Sequence, residues 1–290
     1  MGLIKFNYRS QVLSGYVDIS IAYPTDFMSY YDMSAGIRGH QRHVKRNYPV
    51  YKPGMKFQTV YLIHGGGDDD SLTYRYLNTE FYAQKNYCMT VTPNICNSFG
   101  INTAYGIDYE KFLTEELPVV VQSLFASSPK REDNFIVGYA MGGNVALGQA
   151  LKHPELYAAC VDISGGIGYT LDIEKLKADI TPDTRFKLYY HAFGGDNEKL
   201  AGSQYDVRVY AKRNIEEGRE LPKFTFIIGS EEGEIGEAVK NDARLLKEYG
   251  YDSDLIVHQG YEHYFPLWDL AVKEALDEIL PLKRKPLYEE

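Results

Sequence analysis

The chain has 290 residues, of which 44% are apolar and 24% charged, and it carries a net charge of −9. This is the composition of an ordinary globular protein, and the length suits one α/β domain, so residues 1–290 are interpreted as a single domain. The negative charge, without a long basic block, argues against nucleic acid or a membrane surface as partner. No apolar run approaches the ~20 residues that a membrane span needs.

Cysteine and tyrosine usage bear on location and on the kind of site. The first nine residues lack the apolar segment of a signal peptide, and three cysteines cannot all pair, so we expect a reduced, cytoplasmic protein. No cofactor is expected, and a homo-oligomer is left open. Tyrosine is frequent, at 26 residues against one tryptophan. We expect most tyrosines to fill surface and core, with an aromatic-lined pocket as the alternative, because tyrosine supplies an apolar face and a polar tip.

The hydrophobic pattern predicts strands that alternate with helices. Alternation over residues 11–23 predicts an early antiparallel hairpin, and the polar segment 28–53 is interpreted as a loop or short hairpin covering one edge. The mostly helical segment 171–218 is interpreted as a cap over the site. Apolar runs predict buried strands at 59–63, 88–92, 135–139, 158–163, 224–228 and 255–257. Helices are predicted at 108–125, interrupted by Pro118, and at 144–151, 237–249 and 265–280.

This order of elements predicts an α/β fold with a mainly parallel central sheet, helices on both faces and a small cap insertion. Ligands of such sheets bind beyond the carboxyl ends of the strands. Four segments that carry chemistry follow predicted strands at those ends: 64–66, 138–143, 230–232 and His263.

The most informative stretch is Gly138-Tyr139-Ala140-Met141-Gly142-Gly143, which lies between a β-prone run and a helical run. A G-x-S-x-G motif in that context holds a serine on a sharp, strained turn, with its hydroxyl exposed above the sheet. The flanking glycines let the strand and the helix pass close to the turn. Ala140 occupies the serine position and has no oxygen, so the motif predicts a nucleophile elbow that lacks its nucleophile.

The chain order supplies partners for such an elbow. Acyl transfer through a covalent intermediate needs a nucleophile, a histidine base and a carboxylate that orients the base, and in this fold class they follow in the order nucleophile, acid, histidine. His263, between the last predicted strand and the last helix, is the candidate base. Glu231, Glu232 and Glu234 follow the preceding strand, and Asp196 is a further candidate acid, although its glycine-rich context also suits a turn residue.

Other histidines are interpreted as structural. His64 opens a glycine turn and is expected to brace it, His153 ends a helix, and His258 lies within or just after a strand. His40 and His43 form a conceivable metal pair, but no carboxylate-rich partner stands nearby in the sequence. We expect no metal site.

Two backbone N–H groups are expected to bind the developing oxyanion. One belongs to Met141, the residue after the elbow position, at the positive end of a helix. The other is assigned to Gly66 in the glycine turn, where the missing side chain leaves room for an acyl chain.

Taken together, these motifs resemble the esterase D-like branch of the α/β-hydrolases. That branch includes tributyrin esterases, S-formylglutathione hydrolases, and the feruloyl and acetyl-xylan esterases of carbohydrate esterase family one. Aligned on Gly229, Glu232 takes the place of the aspartate in the family's G-T-E-D, and the segment 261–264 matches its G-G-H-D with His263 kept. The resemblance is carried by the segments 61–67, 103–106, 112–118, 130–138, 141–143, 151–155, 221–224 and 229–232.

The resemblance implies a serine carboxylic-ester hydrolase. It implies that position 140 is the nucleophile position, that His263 is the base oriented by Glu232, and that Gly66 and Met141 form the oxyanion hole. The implied substrates are small-molecule esters, namely hydroxycinnamoyl (feruloyl) or acetyl esters of plant sugars. A thioesterase similar to S-formylglutathione hydrolase is the alternative.

Ala140 is the largest departure from the family, which has serine there, and three interpretations are open. The first is a serine-to-alanine change made to trap intact substrate, which leaves the rest of the site in place. The second is a natural pseudo-hydrolase that binds ligand without turnover, and Glu232 and Tyr264 are further departures that favour it. The third is a different reaction in the same pocket. On any of these interpretations the chain is expected to be nearly inert as an esterase.

Overall fold

A computed structural model describes residues 2–24, 53–166, 171–179 and 187–288. The predicted edge loop at 28–53 therefore lies almost wholly outside the described residues, as do parts of the predicted cap. The strands are β1 (Gly2–Arg9), β2 (Tyr16–Tyr23), β3 (Met55–Lys56), β4 (Thr59–Ile63), β5 (Met89–Pro93), β6 (Asn134–Tyr139), β7 (Ala159–Ile163), β8 (Lys223–Gly229), β9 (Ser253–His258) and β10 (Leu287–Tyr288).

Helices follow most of the strands, as the alternating pattern predicts. Within the described residues they are α1 (Leu72–Arg75), α2 (Thr79–Lys85), α3 (Tyr109–Lys111), α4 (Leu117–Leu124), α5 (Met141–Lys152), α6 (Ile173–Asp179), α7 (Lys187–Ala192), α8 (Val207–Glu216), α9 (Glu234–Tyr249) and α10 (Phe265–Glu274). Short π-helical turns occupy Phe112–Glu116 and Ala275–Ile279. None of the described helices is long and apolar enough to cross a membrane.

Eight strands form one sheet in the order β1-β2-β5-β4-β6-β7-β8-β9. The strands from β5 to β9 pair in parallel, whereas β1 and β2 form an antiparallel hairpin at one edge. From β4 the chain crosses to β5 on one side and later to β6 on the other, so the strand order reverses beside β4. In open α/β sheets such a reversal opens a crevice at the carboxyl ends of the strands. The predicted α/β-hydrolase fold class, with its mainly parallel sheet, is confirmed.

Apolar side chains cover both faces of the sheet. Along β8, Phe226 and Ile228 belong to one buried cluster and Ile227 to the other, as the two-residue period of a strand requires. The first cluster also contains residues of α5, α8 and α9, and the second contains residues of α2 and α10. Because both faces are covered, the central strands are continuous apolar runs, and that is why they could be recognised in the sequence.

The early hairpin exists, but its predicted bounds are wrong. Its first strand is β1, and residues 10–15 form the turn that precedes β2. In β1 the partly buried side chains Ile4, Phe6 and Tyr8 alternate with exposed polar ones. The two-residue signal was therefore present at the N-terminus, ahead of the predicted range.

The interruption in the helix predicted at 108–125 lies before Pro118 rather than at it. Tyr109–Lys111 is α-helical, Phe112–Glu116 is a π-helical turn, and Pro118 stands second in α4. Proline has no N–H to donate and its ring crowds the carbonyl one turn earlier. The wider turn before Pro118 accommodates that missing hydrogen bond, as π-bulges inside helices do.

Candidate active site

A cavity of about 490 Å³ opens at the carboxyl ends of β4 and β6. Because Ile63 pairs with Gly138 in parallel, the glycine turn after β4 and the elbow after β6 leave the sheet side by side. Ala140 and His263 are far apart in the sequence, and both line this cavity. The remaining lining includes Gly66, Met141, Asp68 and Asn97, with Phe99, Leu188, Tyr264, Phe265 and Trp268.

The elbow is built on close backbone approach. A side chain on Gly138 would place its Cβ 2.0 Å from the carbonyl oxygen of Gly142. A side chain on Gly142 would place its Cβ 2.1 Å from the carbonyl oxygen of Ile63. Neither position accepts a methyl group without backbone movement, so these two glycines are fixed by packing between β6, α5 and β4.

Ala140 carries the strain of a nucleophile elbow. Its backbone angles are φ 51° and ψ −122°, outside the regions that L-residues favour, and only 6% of its surface is exposed. Such a conformation costs about 1–3 kcal/mol and persists where the surrounding structure imposes it. The methyl group of alanine needs no such geometry, whereas a serine hydroxyl there would be presented to the cavity. This geometry is the one that the G-x-S-x-G motif predicts for position 140.

Glu232 and His263 form a hydrogen-bonded pair in which the glutamate is buried and the histidine is partly exposed. Nδ1 of His263 lies 3.0 Å from Oε1 of Glu232, and the Glu232 side chain has no exposed surface. An ionised carboxylate only accepts, so the tautomer that fits this contact carries its proton on Nδ1 and has a lone pair on Nε2. The imidazole ring of His263 packs edge-on against Trp268, with ring centroids 5.1 Å apart.

The other candidate acids lie elsewhere. Oε1 of Glu231 accepts a hydrogen bond from the hydroxyl of Ser230, and Glu234 is exposed in the first turn of α9. Asp196 caps the short helix at 197–199 by accepting from the N–H of Glu198 and pairs with Lys199. Of the four candidates, only Glu232 contacts His263 in the described structure.

The glycine turn is braced from two sides. The buried ring of His64 donates from Nδ1 to the carbonyl of Gly65 and accepts at Nε2 from the N–H of Ile95, and burial lowers the pKa of His64. Oδ1 of Asn97 accepts from the N–H of Gly67 at 2.7 Å. Within the described residues, the N–H groups of Gly66 and Met141 donate to no protein acceptor. These are the two groups expected to form an oxyanion hole.

Two further carboxyls flank the site. Asp68 lines the cavity and accepts from the hydroxyl of Tyr139 at 3.1 Å, and its partial burial raises its pKa. Asp162, at the end of β7, is fully buried. Burial, followed by repulsion from Asp242 and Glu232, raises the pKa of Asp162 well above its usual range.

Asn97 and Trp268 line the cavity but belong to no motif recognised in the sequence. Asn97 follows β5, so its place after the carboxyl end of a strand was an available signal. Trp268 is the one tryptophan in the chain and lies five residues after His263. The described lining fits the alternative of an aromatic-lined pocket, since Phe99, Tyr264, Phe265 and Trp268 belong to it, although tyrosine contributes one of these four residues.

Two of the remaining histidines pair with glutamates away from the cavity. His258 pairs with Glu274 at 2.8 Å, and His153 pairs with Glu110 at 3.1 Å. His40 and His43 lie outside the described residues. Within the described ones, no group of three or more histidine, cysteine or acidic side chains is arranged to hold a metal ion.

Comparison with known proteins gives one family and several relatives. A family model described as "Putative esterase" matches residues 37–246. An acetyl esterase of Caldicellulosiruptor saccharolyticus is 28% identical over 247 residues, covering 79% of this chain and 89% of that protein. The substrate-bound serine hydrolase FphF of Staphylococcus aureus superposes with a TM-score of 0.76 at 22% identity, covering 96% of this chain and 98% of that one. The S-formylglutathione hydrolase FrmB of the same species superposes with a TM-score of 0.74 at 22% identity, with the same coverage.

The sheet order, the strained turn after β6 and the cavity at the carboxyl edge define an α/β-hydrolase. Because the family model spans most of the sequence, the chain belongs to the esterase family that it matches.

Proposed function

We propose that this chain carries the active site of a serine carboxylesterase in an inactive form, in which alanine occupies position 140 in place of the nucleophilic serine. With serine at position 140 the same site would be a carboxylesterase. The observation that carries the proposal is the placement of Ala140 on a strained elbow in the cavity that also holds His263, itself paired with Glu232. The proposal is further supported by Gly66 and Met141, which line the same cavity.

The proposed chemistry assigns one task to each group. A serine oxygen at position 140 would attack the acyl carbon while Nε2 of His263 takes the hydroxyl proton. Glu232 would hold the imidazole by Nδ1 and stabilise its protonated form. The carbonyl oxygen, now negative, would accept from the N–H groups of Gly66 and Met141. His263 would then protonate the leaving alcohol, and a water activated by the same histidine would release the acid.

The proposed substrates are acetyl or feruloyl esters of plant sugars. The acetyl esterase relative supports an acetyl group, and the resemblance of the motifs to carbohydrate esterase family one supports a sugar alcohol. The charge of the cavity supports a neutral substrate, because the acid that lines it is Asp68 and no lysine or arginine lines it in the described structure. We further propose that the chain acts as a single domain.

Two alternatives make different demands on the same site. A thioesterase acting on S-formylglutathione would have to accommodate the carboxylates of glutathione beside Asp68, which disfavours anions. A natural pseudo-hydrolase would bind ligand in the cavity and gain nothing from a serine. The absence of a hydroxyl at Ala140 is the observation that favours this second alternative.

One substitution separates these functions. Ala140→Ser should raise kcat on p-nitrophenyl acetate and methyl ferulate by several orders of magnitude, since removing a triad nucleophile costs about 10⁶ in kcat. S-formylglutathione, assayed in parallel, should be the poorer substrate. A folded Ala140→Ser protein that gains no esterase activity would establish the pseudo-hydrolase, and preferential turnover of S-formylglutathione would establish the thioesterase.

A further inference from the structure

An aromatic surface continues outward from the cavity. Tyr76, at the end of α1, stacks on Phe265 with ring centroids 4.7 Å apart and an interplanar angle of 18°. Phe265 lines the cavity and packs edge-on against Trp268, with centroids 4.9 Å apart. Tyr264 contacts Phe265 in turn, with centroids 5.2 Å apart. We name Tyr76, Tyr264 and Phe265 the aromatic ledge.

The ledge exposes apolar surface that the fold does not require. Tyr76 is 61% exposed and Tyr264 is 59% exposed. Large exposed apolar groups that continue a cavity mark a ligand-binding surface more often than they serve the core. The rings also retain polar hydroxyl tips, which suit a ligand with both an apolar face and hydroxyl groups.

Hydrogen bonds hold the two halves of the ledge together. Asp269 of α10 accepts from the backbone N–H of Asn78 at 2.7 Å and from the hydroxyl of Tyr82 at 2.9 Å. Asn78 stands two residues after Tyr76, whereas Asp269 stands four residues after Phe265. The segment that carries Tyr76 is therefore fixed to the helix that carries Phe265, and the ledge is preorganised for binding.

The direction of proton transfer decides which part of a substrate meets the ledge. In ester hydrolysis the histidine that accepts the nucleophile's proton delivers it to the leaving oxygen, so the leaving alcohol must lie beside that histidine. Tyr264 and Phe265 directly follow His263. The ledge therefore lies on the alcohol side, whereas Phe99 and Leu188 line the cavity from other elements.

We infer that the aromatic ledge binds the sugar ring of the leaving alcohol. This inference rests on the proposed function and names its alcohol. A sugar ring offers a face of C–H groups that stacks on an aromatic ring, together with hydroxyls for the tyrosine tips. A glutathione thiol would bring carboxylates to a surface with no lysine or arginine among its members. The neighbouring Arg75 already interacts with Asp69, whose pKa is lowered first by a hydrogen bond from Ser71 and also by the Arg75 charge.

The first test uses the chain as it stands. Trp268 is the one tryptophan in the sequence and packs against Phe265, so its fluorescence reports on this cavity alone. Titration with an acetylated methyl xyloside should give a saturable change. Tyr76→Ala should weaken that binding about tenfold, which corresponds to the loss of one favourable aromatic contact, and Tyr76→Phe should restore most of it. Tyr16→Ala, which removes a tyrosine 76% exposed on β2, is the matched control and should change nothing.

The second test uses catalysis and separates the ledge from the proposed function. In the Ala140→Ser background, Tyr76→Ala should lower the ratio of kcat/KM for the sugar acetate to that for methyl acetate about tenfold. If Tyr76→Ala changed neither this ratio of kcat/KM values nor the fluorescence titration, the inference that the ledge binds a sugar ring would be wrong. If Tyr76→Ala instead lowered kcat/KM for methyl ferulate, the ledge would bind the acyl group, and the inference that it binds the sugar would be wrong. Sugar binding that depends on Tyr76, together with an inactive Ala140→Ser protein, would retain the ledge and refute the esterase.

Discussion

Glu232 holds Nδ1 of His263 at 3.0 Å from a position with no exposed side-chain surface, and its second oxygen, Oε2, is buried without a partner in the described structure. A glutamate is one methylene longer than the aspartate that the esterase D-like family has at this position, and its carboxylate still reaches the imidazole of His263. The pair is thus positioned to fix the ring so that Nε2 remains available to the cavity. A buried oxygen without a hydrogen-bond partner costs about 1–3 kcal/mol. A role for the Glu232–His263 pair in the reaction would explain why the fold retains this cost.

We predict that Glu232→Gln, made together with Ala140→Ser, lowers kcat by about 10³–10⁴ relative to Ala140→Ser alone, with a smaller change in KM. An amide cannot stabilise the protonated imidazole and can present N–H to Nδ1, which favours the wrong tautomer. Steady-state kinetics on p-nitrophenyl acetate would measure the effect.

Glu231→Gln is the matched control for that prediction, because Glu231 neighbours Glu232 and bonds to Ser230 instead of His263. Its kcat should remain within about twofold of the Ala140→Ser protein, since surface substitutions rarely disturb a preorganised site. Equal losses for the two glutamines would show that the acid has been misassigned.

Asn97 supplies a second prediction. Its Oδ1 accepts the N–H of Gly67 at 2.7 Å and so fixes the turn that presents the N–H of Gly66. Asn97→Ala in the Ala140→Ser background should lower kcat about tenfold or more, because a loosened turn displaces one oxyanion donor. Stopped assays over a range of acetyl ester concentrations would separate kcat from KM.

Asn94→Ala provides the comparison for Asn97. Asn94 lies in the same loop, where its side chain accepts from the N–H of Cys96 at 2.9 Å and does not contact the glycine turn. It should leave kcat nearly unchanged. If both alanines reduce kcat alike, the loop as a whole, and not the bond to Gly67, sustains activity.

The sequence predicted most of the sheet because the buried strands are continuous apolar runs. The strand β8, from Lys223 to Gly229, has one exposed residue, at its start, and was recognised for that reason. The strand β1 was missed, because its exposed Lys5 and Arg9 resemble a polar tail unless the pairing with β2 is known. The small sheet of β3 and β10 joins segments more than 200 residues apart, and two-residue strands leave no pattern.

The residues of the candidate site also fall into two groups, those that the sequence indicated and those that only the structure shows. Ala140 and His263 were proposed from a motif and from chain order, and Glu232 from the resemblance to the family, all of which can be read along the sequence. Asn97 and Trp268 were not, because their place beside the cavity follows from strand order and helix packing. Asp162 was missed for a related reason: its proximity to Glu232 and Asp242 arises only when β7, β8 and α9 come together.

Asp162 leads to a prediction on stability. Its pKa is raised in the folded protein by burial and by the charges of Asp242 and Glu232, so the folded state retains a proton that the unfolded state has lost above about pH 4. Its contribution to stability is therefore present below the unfolded pKa and is lost as pH rises through the folded pKa. Asp162→Asn should remove that loss and increase the free energy of unfolding near neutral pH, with little change in acid.

Urea unfolding of both proteins at a series of pH values would measure this difference. Asp133→Asn is the contrasting control, since Asp133 is equally buried but bonds to Lys283 and Ser128, so its neutralisation should destabilise the fold. A less stable Asp162→Asn protein at neutral pH would mean that the Asp162 carboxylate is ionised and satisfied in the native state.

The elbow allows a last prediction, on which glycines the fold requires. A Cβ on Gly142 would stand 2.1 Å from the carbonyl oxygen of Ile63, and both atoms belong to backbone fixed by β4 and α5. A Cβ on Gly66 would stand 3.6 Å from Oδ1 of Asn97 and 3.8 Å from Cβ of Met141, which is ordinary contact. Gly142→Ala should therefore destabilise the protein by more than about 4 kcal/mol, whereas Gly66→Ala should stay within about 1 kcal/mol.

Thermal unfolding followed by circular dichroism would compare the two variants with the Ala140 parent. Gly66 is a proposed oxyanion donor, and its alanine variant keeps the backbone N–H and is expected to fold, so any loss of activity in the Ala140→Ser background would reflect the narrowed cavity. If Gly142→Ala had the same unfolding temperature as the parent, β4 and α5 would have to move apart at little cost in free energy to admit the added methyl group. In that case the packing that holds Ala140 in its strained conformation would be weaker than the contacts around it indicate.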